Sequence, residues 1–378
     1  MWSDGRPFLI VSASGRALAA MARRAGARAV VLDLFADADT AACCDAVRRC
    51  GVDRGLRFHS RQLLDAAAAL AAPPTCAGLV FGSGLEGRVG LLGRLAEDRR
   101  LFGNAPDTVL RLKEPQTLAS LLDSLGIPAP AVRFDPPSDP RGWLVKQAGG
   151  AGGGHVRRAQ RGTKPRPGRY FQRFVAGRSL SSLFVADGRH ARLIGFSEQW
   201  QAGANCPRRP FSFGGAISDA PIPAAARTQV EDWGERLAAC VGLVGLNGID
   251  FILDEAGRPH CLEINPRPTA TAELYDERAE GGLFAWHLHA CDGQLPKGRL
   301  QPGPVRGQAV VYALAPFTIP MGLRWSAWVG DRPAPGAPFA MGAPVCTVHA
   351  AGPSVPQVRI QLDDRSRIIR RNVMPLAA

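Results

Sequence analysis

At 378 residues the chain is too long for one small core, so two or three domains are expected. Its 46% apolar and 21% charged content excludes a disordered chain, and no apolar run is long enough to span a bilayer. The net charge of +13 and a pI near 10.0 suit an anionic ligand such as a nucleotide or a polycarboxylate; with no RNA-binding or helix-turn-helix signature, a nucleic-acid partner is not expected.

Residues 1 to about 105 alternate strand and helix. Pro7–Ser12 reads as a buried strand, and Ser12–Gly15 as a turn whose Ser14 or Gly15 is placed to cap a helix over Arg16–Ala25. Gly26 closes that helix, and Arg28–Phe35 is a second strand. This alternation predicts a parallel sheet with helices outside it. Asp33 falls at a strand end, where doubly wound sheets bind ligands. The Gly15 turn is not a full G-x-G-x-x-G, so no dinucleotide site is assigned. An Ala-rich helix follows at Ala66–Ala72. The strand Leu79–Phe81 then feeds a Gly-rich loop, Gly82-Ser83-Gly84-Leu85-Glu86-Gly87, which either touches substrate or is a plain turn. The apolar start at Phe8–Val11 is too short for a signal peptide.

The next stretch carries features suited to phosphate. Asp107 is placed to cap a helix that holds Lys113, and a second helix over Gln116–Leu125 closes at Gly126. Trp143–Lys146 is a buried strand ending in a lysine. A Gly-rich turn with Gly149, Gly150, Gly152, Gly153 and Gly154 follows, so backbone N–H groups are free to close on phosphate oxygens. Lysine is informative here, because Lys113, Lys146, Lys164 and Lys297 are the only four in the chain. Tyr170–Phe174 is a strand that turns at Gly177, and Ser181–Val185 and Ala191–Phe196 are two more. Glu198 ends the last of these, facing either phosphate or solvent. The aromatics around Gly214 and Gly215 in Phe211–Ala216 suggest a substrate lid. Ala224–Val241 is an amphipathic helix.

Leu246–Pro268 is the most specific stretch. Ile249–Leu253 and Pro259–Ile264 flank the turn-rich Asp254–Arg258, which predicts an antiparallel hairpin. With Asp254 opposite Pro259, Asp250 lies opposite Glu263, and Asn265 shares their face. Ile249, Phe251, Leu253, Leu262 and Ile264 make the core face. Facing carboxylates repel, and a hard divalent cation offsets that. Magnesium takes one or two carboxylates plus substrate phosphates, so the hairpin reads as one wall of a Mg-nucleotide site. Beyond residue 300, Gly307–Leu314, Trp325–Trp328, Val345–His349 and Gln357–Leu362 read as strands of a small β-rich lobe. Cys346 and His349 fall on opposite strand faces and are not paired. The nine scattered cysteines contain no C-x-x-C, which fits a reducing cytoplasm.

Together Lys113, Lys146, Gly149–Gly154, Asp250, Glu263, Asn265 and Arg267 resemble the ATP-grasp superfamily, in particular its biotin carboxylase branch. The resemblance implies an α/β fold (α+β in the central lobe). It divides into an N-terminal domain at 1–105, an ATP-grasp domain at 106–300 and a β-rich cap at 301–378. It implies ATP and Mg²⁺ or Mn²⁺ as cofactors, with metal ligands Asp250, Glu263 and Asn265. Lys113 and Lys146 would lie on the phosphates, with the Gly loop over them. Adenine would sit on the hinge of Gln172, Arg173, Phe174 and Val175, where Gln172 replaces the usual Glu. Ser179 stands where a ribose-binding Glu is common. Arg267 and Lys146 would be the catalytic groups. The implied reaction activates a carboxylate as an acyl phosphate and joins it to an amine. Glu263–Arg267 and Gly342–Val348 look like a group of carboligases that includes a tyramine–glutamate ligase, which implies cofactor biosynthesis in C1 metabolism. A catalytically silent ATP-binding regulatory protein is an alternative. So is a biotin-carboxylase-like enzyme, although no biotinyl-lysine motif is present. Small-molecule substrates, no membrane and a homodimer complete the expectation.

Overall fold

Five parallel strands open the structure, a computed structural model that describes residues 4–51 and 56–373. These are β1 (Phe8–Val11), β2 (Ala29–Asp33), β3 (Ala46–Arg49), β4 (Gly78–Phe81) and β5 (Leu101–Phe102), in the order β3-β2-β1-β4-β5. Helices α1 (Arg16–Arg24), α2 (Ala38–Ala41), α3 (Ser60–Leu70) and α4 (Val89–Ala96) connect them. Every residue of β1, β2 and β4 is buried, as a parallel sheet covered on both faces requires. Leu9, Val11 and Leu32 pack under α3 and α4. Phe8, Ile10 and Val31 join a second cluster that also holds Leu183, Leu246, Tyr275 and Phe284 from the centre of the molecule. That shared core packs one face of the first sheet against the strands at the centre of the molecule.

Two helices follow, α5 (Pro106–Lys113) and α6 (Pro115–Ser124). Asp107 does not cap α5. Ala105 holds that place, Pro106 takes the first helical position, and Asp107 lies in the first turn, where a carboxylate suits the positive helix end. A four-stranded antiparallel sheet comes next. It contains β6 (Val132–Arg133), β7 (Trp143–Gln147), β8 (Arg157–Arg158) and β9 (Arg169–Arg173), in the order β6-β9-β7-β8.

The largest element is an antiparallel sheet of eight strands. Five come first in the chain: β10 (Arg178–Asp187), β11 (Ala191–Gln201), β12 (Phe213–Ile217), β13 (Val244–Leu253) and β14 (Pro259–Asn265). The 18-residue α7 (Ala224–Val241) covers one face through Val230, Trp233 and Leu237. Helices α8 (Glu273–Asp276) and α9 (Leu283–Cys291) lead to β15 (Val305–Tyr312). A small ribbon of β16 (Phe317–Thr318) and β18 (Pro338–Phe339) flanks β17 (Val329–Gly330). Next come β19 (Pro344–Gly352) and α10 (Val355–Val373). The sheet order is β14-β13-β10-β11-β12-β15-β19-β17, so one sheet carries strands from both sides of residue 300.

Three sequence expectations change here. Phe213–Ile217 is an interior strand, not a lid. Gly215 passes so close to its neighbours that a Cβ would lie 2.2 Å from the Trp200 ring and 2.4 Å from the Gln308 carbonyl. Trp325–Trp328 is a turn leading into β17. Gln357–Leu362 is helical: its short V-R-I-Q-L alternation imitates a strand, but Val358, Leu362, Ile369 and Val373 are buried at helical spacing while Ile360 is 60% exposed.

Candidate nucleotide and metal site

The hairpin register sets the site. Asp250 pairs with Glu263, Ile249 with Ile264 and Gly248 with Asn265. Nearer the turn, Leu253 pairs with Pro259, one residue out from the expected Asp254–Pro259 pairing. A bulge between Asp250 and Phe251 absorbs the difference and restores the carboxylate pair. The bulge also exchanges two side chains. Cys261 enters the core, and Leu262 leaves it to line a cavity of about 210 Å³ with Tyr170, Gln172 and Leu118.

Asp250 and Glu263 lie in one hydrogen-bonded network. Asn265 Nδ2 donates to Asp250 Oδ2 at 2.8 Å, and Gln199 Nε2 donates to Asp250 Oδ1 at 2.9 Å. The buried Lys113 ammonium donates to Glu263 Oε1 and, at 2.9 Å, to Asn265 Oδ1. Lys113 reaches them from the end of α5, which abuts β14. Burial and Glu263 together raise the Asp250 pKa. Burial also works to raise Glu263, but Lys113, Lys146 and Arg267 outweigh it and hold its carboxyl below the usual value. The pair therefore divides into one acid that keeps its charge easily and one that does not.

Lys146 stands on β7, the strand opposite β9. Among the described residues its ammonium makes no hydrogen bond or ion pair. Burial lowers its pKa against the pull of Glu263 and Asp250. The Gly loop beyond it is folded down. A Cβ on Gly149 would lie 2.3 Å from Gly87 Cα, and one on Gly153 would lie 2.0 Å from the Phe211 carbonyl. Phe213 N donates to Gly152 O at 2.9 Å. The loop thus closes between the Gly82–Gly87 turn and the start of β12.

Of the hinge residues, Gln172 is buried and its amide approaches the Leu262 carbonyl at 3.5 Å. Arg173 turns outward onto the Trp143 ring, and Phe174 gives its N–H to Gly142 at 2.8 Å beneath Arg158. Val175 is half-buried. Ser179 pairs with Ile252 and, two residues before Ser181, shares the sheet face of Asp250.

Arg267 is buried and bound to Glu86, which is 2% exposed. Its other nitrogens reach Pro268 O at 3.1 Å and Asn265 Oδ1 at 3.4 Å. The Gly82–Gly87 turn is therefore part of this constellation. Glu198 is not: it binds Arg178 and Arg359 on the opposite face. Asp33 is not available to a ligand either, because it accepts the N–H groups of Gly15, Phe35 and Ala36.

Two close neighbours escape sequence reasoning. Gln199 is placed by the strand order β13-β10-β11. His155 packs its ring on Gly150, with Nδ1 buried, without a hydrogen-bond partner among the described residues, and within the field of Glu263. Only its position after the Gly run signals it.

Among the described residues no group of three or more His, Cys, Asp or Glu is placed to hold a metal ion by itself. Two carboxylates and one amide fall short of an all-protein cage, but they match a magnesium ion that completes its shell with phosphate oxygens and water. The Lys113 ammonium lies where the Glu263 and Asn265 oxygens converge, so the arrangement already holds a cation.

Residues 116–271 match the family model described as an ATP-grasp domain. This chain carries an ATP-grasp domain. Three solved structures resemble it over most of their length. N5-carboxyaminoimidazole ribonucleotide synthetase from Thermus thermophilus is 17% identical, with a TM-score of 0.68 over 98% of this chain and 99% of that one. L-amino acid ligase from Bacillus licheniformis is 15% identical, with a TM-score of 0.68 over 96% and 98%. Biotin carboxylase from Campylobacter jejuni is 15% identical, with a TM-score of 0.68 over 93% and 89%. These likenesses establish the fold. No curated protein sequence matches the chain. Among the described residues no helix is long and apolar enough to cross a membrane.

Proposed function

We propose that this protein is an ATP-dependent ligase that activates a carboxylate as an acyl phosphate and joins it to an amine. The observation that carries the reading is the oxygen face of Asp250, Glu263 and Asn265, gathered around the Lys113 ammonium, with the Gly149–Gly154 loop folded down against the Gly82–Gly87 turn. In this reading those three side chains hold Mg²⁺ or Mn²⁺ with ATP. The ion supplies charge neutralisation across the phosphate oxygens. Lys146 and Lys113 add fixed positive charge on the transferring phosphoryl group. The Gly loop, through Gly149, Gly150, Gly152, Gly153 and Gly154, closes its amides on the phosphates and excludes water that would hydrolyse the acyl phosphate. Gln172, the Arg173–Val175 backbone and Ser179 line the nucleoside. Arg267, held by Glu86, orients the substrate carboxylate through its remaining N–H groups. The nine free thiols fit a cytoplasmic setting.

The likeness to a carboligase group that includes a tyramine–glutamate ligase makes an amino acid and a small amine the first substrates to try, with a place in C1-carrier synthesis. The decisive experiment is ADP release with Mg-ATP over a matrix of carboxylic acids and amines. ADP that forms only when both partners are present supports a ligase. ADP formed with bicarbonate and no amine favours a carboxylating enzyme, and tight nucleotide binding without turnover favours a regulatory protein.

Lys146→Ala is expected to weaken ATP binding by about tenfold or more, the scale of a lost charge-assisted contact. Calorimetric titration with a non-hydrolysable analogue checks this. Unchanged affinity would remove Lys146 from the phosphates.

A further inference from the structure

Two nitrogens that bracket the Gly loop lack partners among the described residues. Lys146, on the strand that leads into the loop, is half-buried, and its ammonium makes no hydrogen bond or ion pair. His155, the first residue after the loop, has Nδ1 buried with no hydrogen-bond partner. Glu263, Lys146 and Lys113 all act on the imidazole, so the ring stands among the groups of the candidate phosphate site.

The other cations nearby are engaged. Lys113 donates to Glu263 and, at 2.9 Å, to Asn265 Oδ1. Arg157 turns away to the backbone, giving one nitrogen to the carbonyls of Gly154 at 3.0 Å and Val156 at 2.6 Å. Lys146 and His155 are left facing the same site with nothing to bind.

The loop itself holds the ring in place. A Cβ on Gly150 would lie 2.5 Å from the imidazole Nδ1 and Cε1, so the backbone crosses the ring at a distance that only glycine permits. A polar nitrogen withdrawn from water without a partner is costly, and an oxygen acceptor between the two would relieve both. Burial, with Lys146 and Lys113, lowers the His155 pKa below its ordinary 6.5 against the pull of Glu263. The ring is therefore neutral near pH 7. With Nδ1 protonated it donates one hydrogen bond and adds no charge, and Lys146 supplies the charge. Among the charges that act on the ring, Glu263 is the largest, and a metal on Glu263 would bridge to the phosphoryl group in transit.

We propose that His155 reads the third phosphate of the nucleotide, its Nδ1–H donating to an oxygen of the terminal phosphoryl group that Lys146 also holds. The proposal rests on the ligase reading above. A triphosphate then pairs both nitrogens, whereas a diphosphate leaves the imidazole without an acceptor. The folded loop grips ATP and releases ADP more readily.

Calorimetric titration of the full-length protein with MgADP and with the magnesium complex of a non-hydrolysable ATP analogue tests this, beside a thermal melt for folding. His155→Ala is expected to weaken the triphosphate analogue about tenfold or more while MgADP affinity stays within about twofold. His155→Asn carries an amide N–H at the reach of Nδ1 and is expected to recover most of the lost affinity. Equal loss of both nucleotides in a folded His155→Ala protein would make the ring a mere prop for the loop and overturn the proposal. Unaltered analogue affinity in that variant, or no recovery in a folded His155→Asn protein, would also overturn it. Each of these outcomes leaves the ligase reading standing. Failure of the unaltered protein to bind either nucleotide would remove the ligase reading itself, and this proposal with it.

Discussion

Replacing Glu263 by Gln is expected to lower ADP formation by at least about a hundredfold if Glu263 is the metal ligand proposed above, because losing a direct ligand costs more than losing an outer-shell partner. The fold is expected to survive. Ile249, Phe251, Cys261 and Ile264 bury the opposite face of the hairpin and do not depend on the charge of Glu263. The amide oxygen of Gln still accepts from Lys113, and the repulsion with Asp250 disappears. A coupled ADP assay beside a thermal melt separates the two effects. Turnover at the unaltered rate in a folded variant would mean that the two facing carboxylates are not where the nucleotide is handled.

Arg267→Ala is expected to have the largest effect on stability. Its guanidinium is the direct partner of Glu86, a carboxylate that is 2% exposed and otherwise bound by the Gly84 N–H. Removing one member of a buried pair costs about 3–5 kcal/mol, since the other is left charged and desolvated. Lys113, which also acts on Glu86, offsets part of this. The pH dependence follows from Glu86. Burial works to raise its pKa, but Arg267 and Lys113 prevail, so the folded value lies below the ordinary 4.5. A depressed carboxyl contributes stability that is fully present above the unfolded pKa and lost as pH falls through the folded one. In the variant the Arg267 share of that contribution is absent, so the gap in urea midpoint between the two proteins should be widest near neutrality and narrow below about pH 4. A gap independent of pH would point to lost packing rather than a broken ion pair.

The hairpin was legible because its chemistry repeats every two residues, and a carboxylate pair facing across two strands can be read from spacing alone. The bulge was not legible, since nothing in Cys261-Leu262 announces an extra residue. The predicted register at Asp250 held because the misplaced turn pairing and the unseen bulge cancel. The first sheet was legible from runs such as Phe8–Val11 alternating with helices. The start of α10 was not, because six residues of V-R-I-Q-L character fit a strand as well as one side of a helix. The partners of the site were hidden for a different reason. Gln199 meets Asp250 only through the order β13-β10-β11, and Glu86 meets Arg267 across 181 positions of chain. Strand order and long-range docking are set by tertiary packing, and local pattern carries no record of them.

The two larger antiparallel sheets share no strand, and this divides the labour of the molecule. Asp250, Glu263 and the strands β15, β17 and β19 ride on one hydrogen-bonded slab. Lys146 and the loop after it ride on a four-stranded leaf. If entry of nucleotide needs a gap, the leaf is the part with freedom to swing, and the acids stay put as the anvil. Amide exchange should then be slow along β10 and β13 and faster along β7 and β9, with nucleotide slowing the leaf alone. The cation and the acids would face each other fully only in the shut state, so that a bare, gaping site would have little means of cleaving ATP.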